Sequence, residues 1–139
     1  MTAVTFTDFR IVSVFDPSPL TVPSGESISD RKGKYLRVDG TTGKAMLGNA
    51  SAAGEVGGLN GFGMSDQRFV GDAVSLFRHG LVDVGTGLDT LDVGASVYLA
   101  DTDSTFATTA GTVTQAVGKV YDIIESDGSV KRLLFVDLQ

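Results

Sequence analysis

The second half of the sequence, residues 70–138, is a succession of short segments rich in β-branched and aromatic residues, separated by glycine and aspartate. Such segments favour β-strands, and the residues between them favour tight turns. The clearest pair is 118–124 and 130–138, which flank the Ser-Asp-Gly of residues 126–128. Asp-Gly between two apolar runs is typical of a β-hairpin. The pattern predicts an all-β fold, either a small β-barrel or a β-sandwich.

Two further segments, 73–77 and 80–84, stand close together around Arg78 and His79. They predict either two strands that flank a turn at Arg78 and His79, or one long strand with a bulge at Gly80. His79 is the only histidine of the chain. In a turn and next to an arginine, we interpret it as an exposed polar residue.

The N-terminal residues combine a strand-like segment with a run of prolines. Residues 2–15 are rich in β-branched and aromatic types, which predicts a strand or an extended segment. All three prolines follow between Phe15 and Ser24, and each favours extended geometry in the residue before it. We predict an extended arm over residues 1–23, packed on its own domain or on a neighbour, and a single β domain over 24–139.

Glycine is concentrated between Gly40 and Gly63, where it supplies eight of 24 residues. Each glycine costs a helix about 1 kcal/mol relative to alanine, so a stable helix is not expected. We predict a long, flexible Gly-rich loop that ends in a strand near residues 59–64. Long loops in compact domains are usually functional or mobile.

A weak internal repeat is also suggested. Residues 34–45 and 97–107 share a layout, in which a Tyr-Leu strand is followed by a polar turn and a run of small residues. This layout predicts two related halves, 24–69 and 70–139. Chance similarity between such segments is the alternative, because strand–turn–strand patterns are common.

Charge and composition argue against several classes of function. A formal net charge of −6 opposes non-specific binding to nucleic acid and to anionic membranes, but leaves basic protein partners open. The absence of cysteine removes disulfides and thiolate metal sites. No apolar stretch approaches the roughly 20 residues that span a bilayer, and no signal-peptide pattern is visible. We expect a soluble protein made in a cytoplasm.

Two short motifs resemble ligand sites but lack an essential part. Val38 and Ala45 stand where a phosphate-binding loop would need a glycine and a hydroxyl residue. Asp101 and Asp103 alternate as in a calcium loop, but the distal glutamate is missing. We interpret both as turns.

Asp83, Asp89 and Asp92 could form an acidic pair. Carboxylates at turns are the ordinary way in which β-proteins stay soluble, and we prefer that interpretation. We therefore predict no catalytic residue, no metal site and no cofactor, and a protein that is not an enzyme.

Five segments of the second half follow one another in a definite order. They are Gly71-Asp-Ala-Val74, Gly80-Leu-Val-Asp-Val84, Leu91-Asp-Val-Gly-Ala-Ser-Val-Tyr-Leu-Ala100, Ala116-Val-Gly-Lys-Val120 and Leu133-Leu-Phe-Val-Asp-Leu138. This order, which covers about half of the chain, resembles the family of phage capsid cement (decoration) proteins.

The resemblance implies a small β-barrel or β-sandwich that sits at symmetry axes on the outside of an icosahedral head. It implies a virion structural protein, made in the host cytoplasm, that clamps neighbouring coat subunits against the pressure of packaged DNA. Its partners would be the major capsid protein and further copies of itself, as a dimer or trimer. Nucleic acid and membrane are not among them.

The predicted arm is the first candidate contact, because arms commonly reach neighbouring subunits and aromatic side chains carry interface energy. Its candidate anchors are Phe6, Phe9, Ile11, Phe15 and Leu20. The alternative, for the first four, is that they are core residues of a first strand.

Two other functions stay open. A tail or head-fibre module belongs to the same structural class, but repeated fibre units and a coiled-coil pattern are missing from the sequence. A carbohydrate- or ligand-binding β-module usually displays a cluster of exposed aromatic residues, whereas this chain has no tryptophan and only three tyrosines.

Overall fold

The computed structural model describes residues 2–15, 20–26, 34–64 and 70–138. The regular secondary structure of the described part is almost entirely β-strand, with one short helix, which confirms the predicted all-β class. Its elements are β1 Ala3–Val4, β2 Arg10–Val14, β3 Leu20–Pro23, β4 Tyr35–Val38, β5 Ala45–Leu47, α1 Ala53–Val56, β6 Asn60–Gly63, β7 Ala73–Phe77, β8 His79–Asp83, β9 Ser96–Leu99, β10 Phe106–Ala107, β11 Ala116–Ile124 and β12 Val130–Asp137.

The strands form two antiparallel sheets. The seven-stranded sheet has the order β1-β10-β9-β11-β12-β8-β2, and the five-stranded sheet has the order β3-β7-β6-β4-β5. Buried residues from both sheets belong to one hydrophobic cluster, so one face of each sheet packs against the other. Of the two predicted architectures, the described residues show packed sheets and no closed barrel.

Aromatic rings fill the centre of this main core. Phe62 is fully buried, and its ring centre lies 5.4 Å from that of Phe9, 5.7 Å from that of Phe106 and 6.1 Å from that of Tyr35. Phe6 stacks on Phe106 with ring centres 4.3 Å apart. Rings at these separations add to the hydrophobic stabilisation.

A second cluster lies on the other face of the five-stranded sheet. Leu36, Ala45, Val74 and Leu76 are fully buried there. An isolated bridge joins Ser24, just after the edge strand β3, to Ala45 on the opposite edge strand β5. The two edges therefore meet at one point, and the sheet curls around its own small core.

The Gly-rich stretch is not one long loop. The predicted strand near its end is confirmed as β6, but β5 and α1 also lie within it. A Cβ atom at Gly61 would lie 2.8 Å from Leu76 Cβ, and one at Gly63 would lie 3.0 Å from Leu36 Cδ1. Strand alternation directs Phe62 to the main core and the two glycines to the crowded inside of the curl. Glycine is needed here for close packing.

The residues predicted as an arm contribute strands to both sheets. β1 pairs with β10 and β2 with β8 in the larger sheet, while β3 pairs with β7 in the smaller one. In its described residues, the segment therefore packs on its own domain. Met1 and residues 16–19 of the predicted arm lie outside the described residues.

The expected hairpin is confirmed, and the expected turn at Arg78 is wrong. β11 and β12 pair over seven residue pairs, and Gly128 in their turn has a positive φ of 86°. β7 and β8 are separated only by Arg78, yet they belong to different sheets. Because β7 and β8 do not pair with each other, no turn joins them as paired strands. The pairing of β8 with β12 shows no register shift at Gly80, so the expected bulge is also absent there. Backbone and guanidinium hydrogen bonds between Arg78 and Leu138 hold the crossing from one sheet to the other.

The two sheets share a local strand order. In the smaller sheet four strands run β5-β4-β6-β7, and in the larger sheet four strands run β10-β9-β11-β12. β4 lies between β5 and β6 in the smaller sheet, and β9 lies between β10 and β11 in the larger sheet. In each sheet, one strand thus pairs with both of the strands that follow it in the sequence. The fourth strand of the smaller set, β7, begins after residue 69, so the shared order crosses the predicted boundary between 24–69 and 70–139. The repeat of 24–69 in 70–139 stays a prediction.

Candidate functional site

The outer face of the seven-stranded sheet carries a cluster of aromatic side chains. The sheet buries every second side chain in the main core, so residues between those positions point outward. Four of the outward groups are Phe15, His79, Tyr121 and Phe135, which we call the aromatic face. They come from four places in the chain: the end of β2, the start of β8, and the middle of β11 and β12.

The rings of the aromatic face contact one another. Phe15 lies 5.3 Å from His79 in an edge-to-face arrangement and 5.9 Å from Phe135, measured between ring centres. Phe135 also lies 5.6 Å from His79 and 6.5 Å from Tyr121. Phe15 is 44% exposed and Tyr121 is 46% exposed. Half-exposed rings held in place by neighbours lose little conformational entropy on binding, which suits them as anchors.

Backbone pairing fixes where the rings stand. The Phe15 amide donates to the His79 carbonyl at 2.9 Å, which extends the β2–β8 pairing by one residue. Phe135 stands opposite Lys119 on one side and Leu81 on the other. A shallow depression of about 280 Å³ adjoins Phe135; it is lined by Ser96, Ala116, Gly118, Lys119, Phe135 and Asp137.

An ionic cluster borders the aromatic face. The Asp83 carboxylate pairs with Lys131 at 2.9 Å and with Arg10 at 3.2 Å, and it accepts a hydrogen bond from the Gly85 amide at 3.0 Å. Partial burial acts to raise the pKa of Asp83, but the hydrogen bonds from Lys131, Gly85 and Arg10 together lower it below its usual value. The cluster ties β2, β8 and β12 together beside the rings.

The five predicted contact residues separate into two groups. Phe6, Phe9 and Ile11 pack against the main core, and Leu20 packs against the second cluster. Phe15 alone joins the aromatic face. Phe6, Phe9 and Ile11 therefore make the contacts expected of core residues, which was the alternative interpretation. The predicted role of the segment as a partner contact now depends on Phe15.

Three residues of the aromatic face were missed by the sequence reasoning. Tyr121 and Phe135 sit at alternating positions of a hairpin that was recognised, so its register could have placed them on one face. His79 was interpreted as a turn residue. Its approach to Phe15 depends on β2 lying beside β8, a non-local pairing for which the sequence holds no local signal.

The acidic motifs form loop-stabilising contacts. Asp101 accepts hydrogen bonds from the Thr112 hydroxyl at 2.6 Å and from the Thr112 amide at 2.8 Å, and these lower the pKa of Asp101. Asp103 accepts from the Asn49 amide group at 2.7 Å. The two carboxylates thus have separate partners, and their alternation does not produce a shared ion site. Within the described ranges, no group of three or more His, Cys, Asp or Glu side chains could hold a metal ion.

The Gly-Lys motif is a turn, as expected. Asp39 accepts hydrogen bonds from the Thr41 amide at 3.2 Å and the Thr42 hydroxyl at 3.0 Å, and the Gly43 amide donates back to the Asp39 carbonyl. This hydrogen-bonded turn joins β4 to β5. The Thr41 amide, the Thr42 hydroxyl and the Gly43 amide are therefore engaged with Asp39.

Searches of protein-family models, characterised proteins and solved structures find no match to this chain. In the part of the chain that the structure describes, no helix is long and apolar enough to cross a membrane.

Proposed function

We propose that this protein is a virion structural protein that binds the outer surface of an icosahedral phage capsid and cements its coat subunits. The observation that carries the proposal is the aromatic face, a preformed surface with two half-exposed aromatic rings. The order of segments in the second half supports the choice of partner by its resemblance to capsid cement proteins.

The aromatic face suits such a role physically. Its rings stand on paired strands beside the Asp83 ion cluster, so little reorganisation is needed for binding. Aromatic anchors on a rigid sheet carry binding energy without an active site. Association into a dimer or trimer would place several such faces on one particle, and linked sites multiply modest affinities.

The test is co-sedimentation with capsids of the encoding phage that have been stripped of the native protein. We expect saturable binding at a fixed ratio to coat subunits and greater resistance of the heads to heat. Phe15→Ala should weaken binding by at least about tenfold, because it removes an anchor from the aromatic face. Leu59→Ala is the matched control, since Leu59 is similarly exposed at 48% but lies on the smaller sheet's side of the molecule, just before β6.

A carbohydrate- or ligand-binding module is the second candidate. The sequence argued against it through the scarcity of aromatic residues, but four rings converge on the outer face, and a depression adjoins Phe135. Saturable binding of a saccharide that Tyr121→Ala abolishes, together with no binding to intact heads, would replace the capsid proposal with this one.

A further inference from the structure

The β11–β12 hairpin extends beyond the sheet to which it belongs. β12 pairs with β8 only at residues 134–137, and β11 pairs with β9 only up to Lys119. The two strands continue to pair with each other as far as Ile124 and Val130. Residues 122–132, which we call the ribbon, therefore have no neighbouring strand among the described residues.

The ribbon is braced where it leaves the sheet. The Arg132 guanidinium binds both oxygens of Asp122, with Nε–Oδ1 at 2.9 Å and Nη2–Oδ2 at 3.1 Å. A further nitrogen of Arg132 donates to the Leu91 carbonyl, which belongs to the turn region beside the hairpin. A two-point Arg–carboxylate contact fixes orientation as well as distance. The ribbon is thus held in one direction relative to the domain.

The end of the ribbon exposes an apolar pair. Ile124 and Val130 stand directly opposite each other across the two strands. Their exposures of 78% and 64% are the highest among the large hydrophobic residues of the described chain. The two side chains therefore form a small contiguous apolar surface on a projecting, braced element, and a partner could cover it.

The apolar pair and the aromatic face point to opposite sides of the hairpin. Ile124 is three residues beyond Tyr121 on the same strand, and alternation places side chains separated by an odd number of residues on opposite faces. Three residues of strand correspond to about 10 Å. The hairpin therefore carries two separate surfaces, one on each side and displaced along its length.

The charge of the tip restricts the partner. Glu125 and Asp127 lie between Ile124 and Val130 in the sequence, and the cations that follow, Lys131 and Arg132, are already paired with Asp83 and Asp122. An acidic tip is repelled by the phosphates of nucleic acid and of anionic lipids. It fits a protein surface in which an apolar pocket is bordered by lysine or arginine.

We infer that the ribbon tip is a second capsid contact, which inserts Ile124 and Val130 into an apolar, lysine- or arginine-bordered pocket on a coat subunit. This inference rests on the proposed function. The aromatic face would bind one coat subunit and the tip would bind its neighbour. One hairpin would then bridge two subunits, which is the physical requirement for cementing.

The experiment compares the wild-type protein with the double variant Ile124→Thr, Val130→Thr in co-sedimentation with stripped capsids. Threonine keeps the β-branched shape that strands favour, so the hairpin is retained while the apolar contact is removed. We expect at least about tenfold weaker binding and loss of the heat resistance of decorated heads. Val70→Thr is the control, because Val70 is 61% exposed and precedes β7 of the other sheet.

The charge of the tip is tested with Glu125→Lys. Since the partner pocket is bordered by cations, this variant should bind more weakly than Glu125→Gln, and the difference should shrink as salt rises. Circular dichroism and urea unfolding verify that each variant is folded.

The outcomes separate the two proposals. If wild type and Val70→Thr bind but the double variant binds equally well, the ribbon inference is overturned and the capsid proposal stands. If the double variant alone loses binding while remaining folded, the ribbon is a contact. If wild type does not bind capsids at all, the capsid proposal fails and the ribbon inference fails with it.

Discussion

Replacing Phe6 with alanine tests whether the N-terminal residues stabilise the domain or act as a clamp. The Phe6 ring stacks on Phe106 at 4.3 Å, with the planes inclined by 11°, and lies 6.1 Å from Phe62. Full burial of a phenylalanine is worth about 1.5–3 kcal/mol, and an aromatic pair adds about 0.5–1.5 kcal/mol. Because Phe6 packs against the main core but is not completely buried, we expect a loss of about 2–3 kcal/mol in the free energy of unfolding.

Urea unfolding followed by circular dichroism measures this loss as a lower midpoint at an unchanged slope. For a domain of this size, the melting temperature should fall by about 6–12 °C. Phe15→Ala is the matched control, because the same substitution at a half-exposed ring should cost less than about 1 kcal/mol. Its effect should instead appear in capsid binding.

The opposite pattern would refute the reasoning. If Phe6→Ala leaves the unfolding free energy within about 0.5 kcal/mol of wild type and abolishes capsid binding, Phe6 contacts a partner. The packing of Phe6 on Phe106 in the main core would then be wrong.

Three further predictions concern the fold itself. Gly61→Ala should destabilise the protein by about 1–3 kcal/mol in urea unfolding, because the new methyl group would crowd the Leu76 side chain, whereas Gly40→Ala, with open space around it, should be nearly neutral. Tyr35→Phe should cost about 1–2 kcal/mol, since the buried Tyr35 hydroxyl donates to a backbone carbonyl at 2.8 Å, and an equal stability in urea would disprove that contact. Asp83→Asn should make the free energy of unfolding fall less steeply as the pH is lowered. The folded-state pKa of Asp83 lies below its usual 3.8, so its stabilisation is present above that pH and is lost as the pH falls through the folded-state pKa. Urea midpoints between pH 7 and pH 2 that fall equally in wild type and variant would contradict this assignment.

The fold class was predictable because its signals are local. The turn at residues 126–128 combines Asp-Gly with apolar runs on both sides, which is the strongest short-range signal for a hairpin. The prediction of one long loop from Gly40 to Gly63 was wrong, and this too has a physical reason. Glycine is common both in mobile loops and where two backbones approach closely, and the composition of a segment does not distinguish the two. Gly61 and Gly63 are explained only by the curl of the smaller sheet.

The candidate site was less predictable than the fold. Two of its rings lie on one hairpin and follow from register, but Phe15 and His79 join them through the neighbouring strands β2 and β8. Whether segments so far apart in sequence pair depends on the whole sheet, because the entropy of loop closure and the packing of the core both contribute to the free energy of pairing. The same limitation applies to Phe6 and Phe9, whose apolar character suited an anchor as well as a core residue.

The most direct test of the capsid proposal is a cryo-electron microscopy reconstruction of capsids saturated with the protein. The proposal predicts that the outer face of the seven-stranded sheet, with Phe15, Tyr121 and Phe135, lies against a coat subunit. It also predicts that the tip at Ile124 and Val130 reaches a neighbouring subunit. A reconstruction in which the protein is bound but the aromatic face points to solvent would contradict the proposed binding surface.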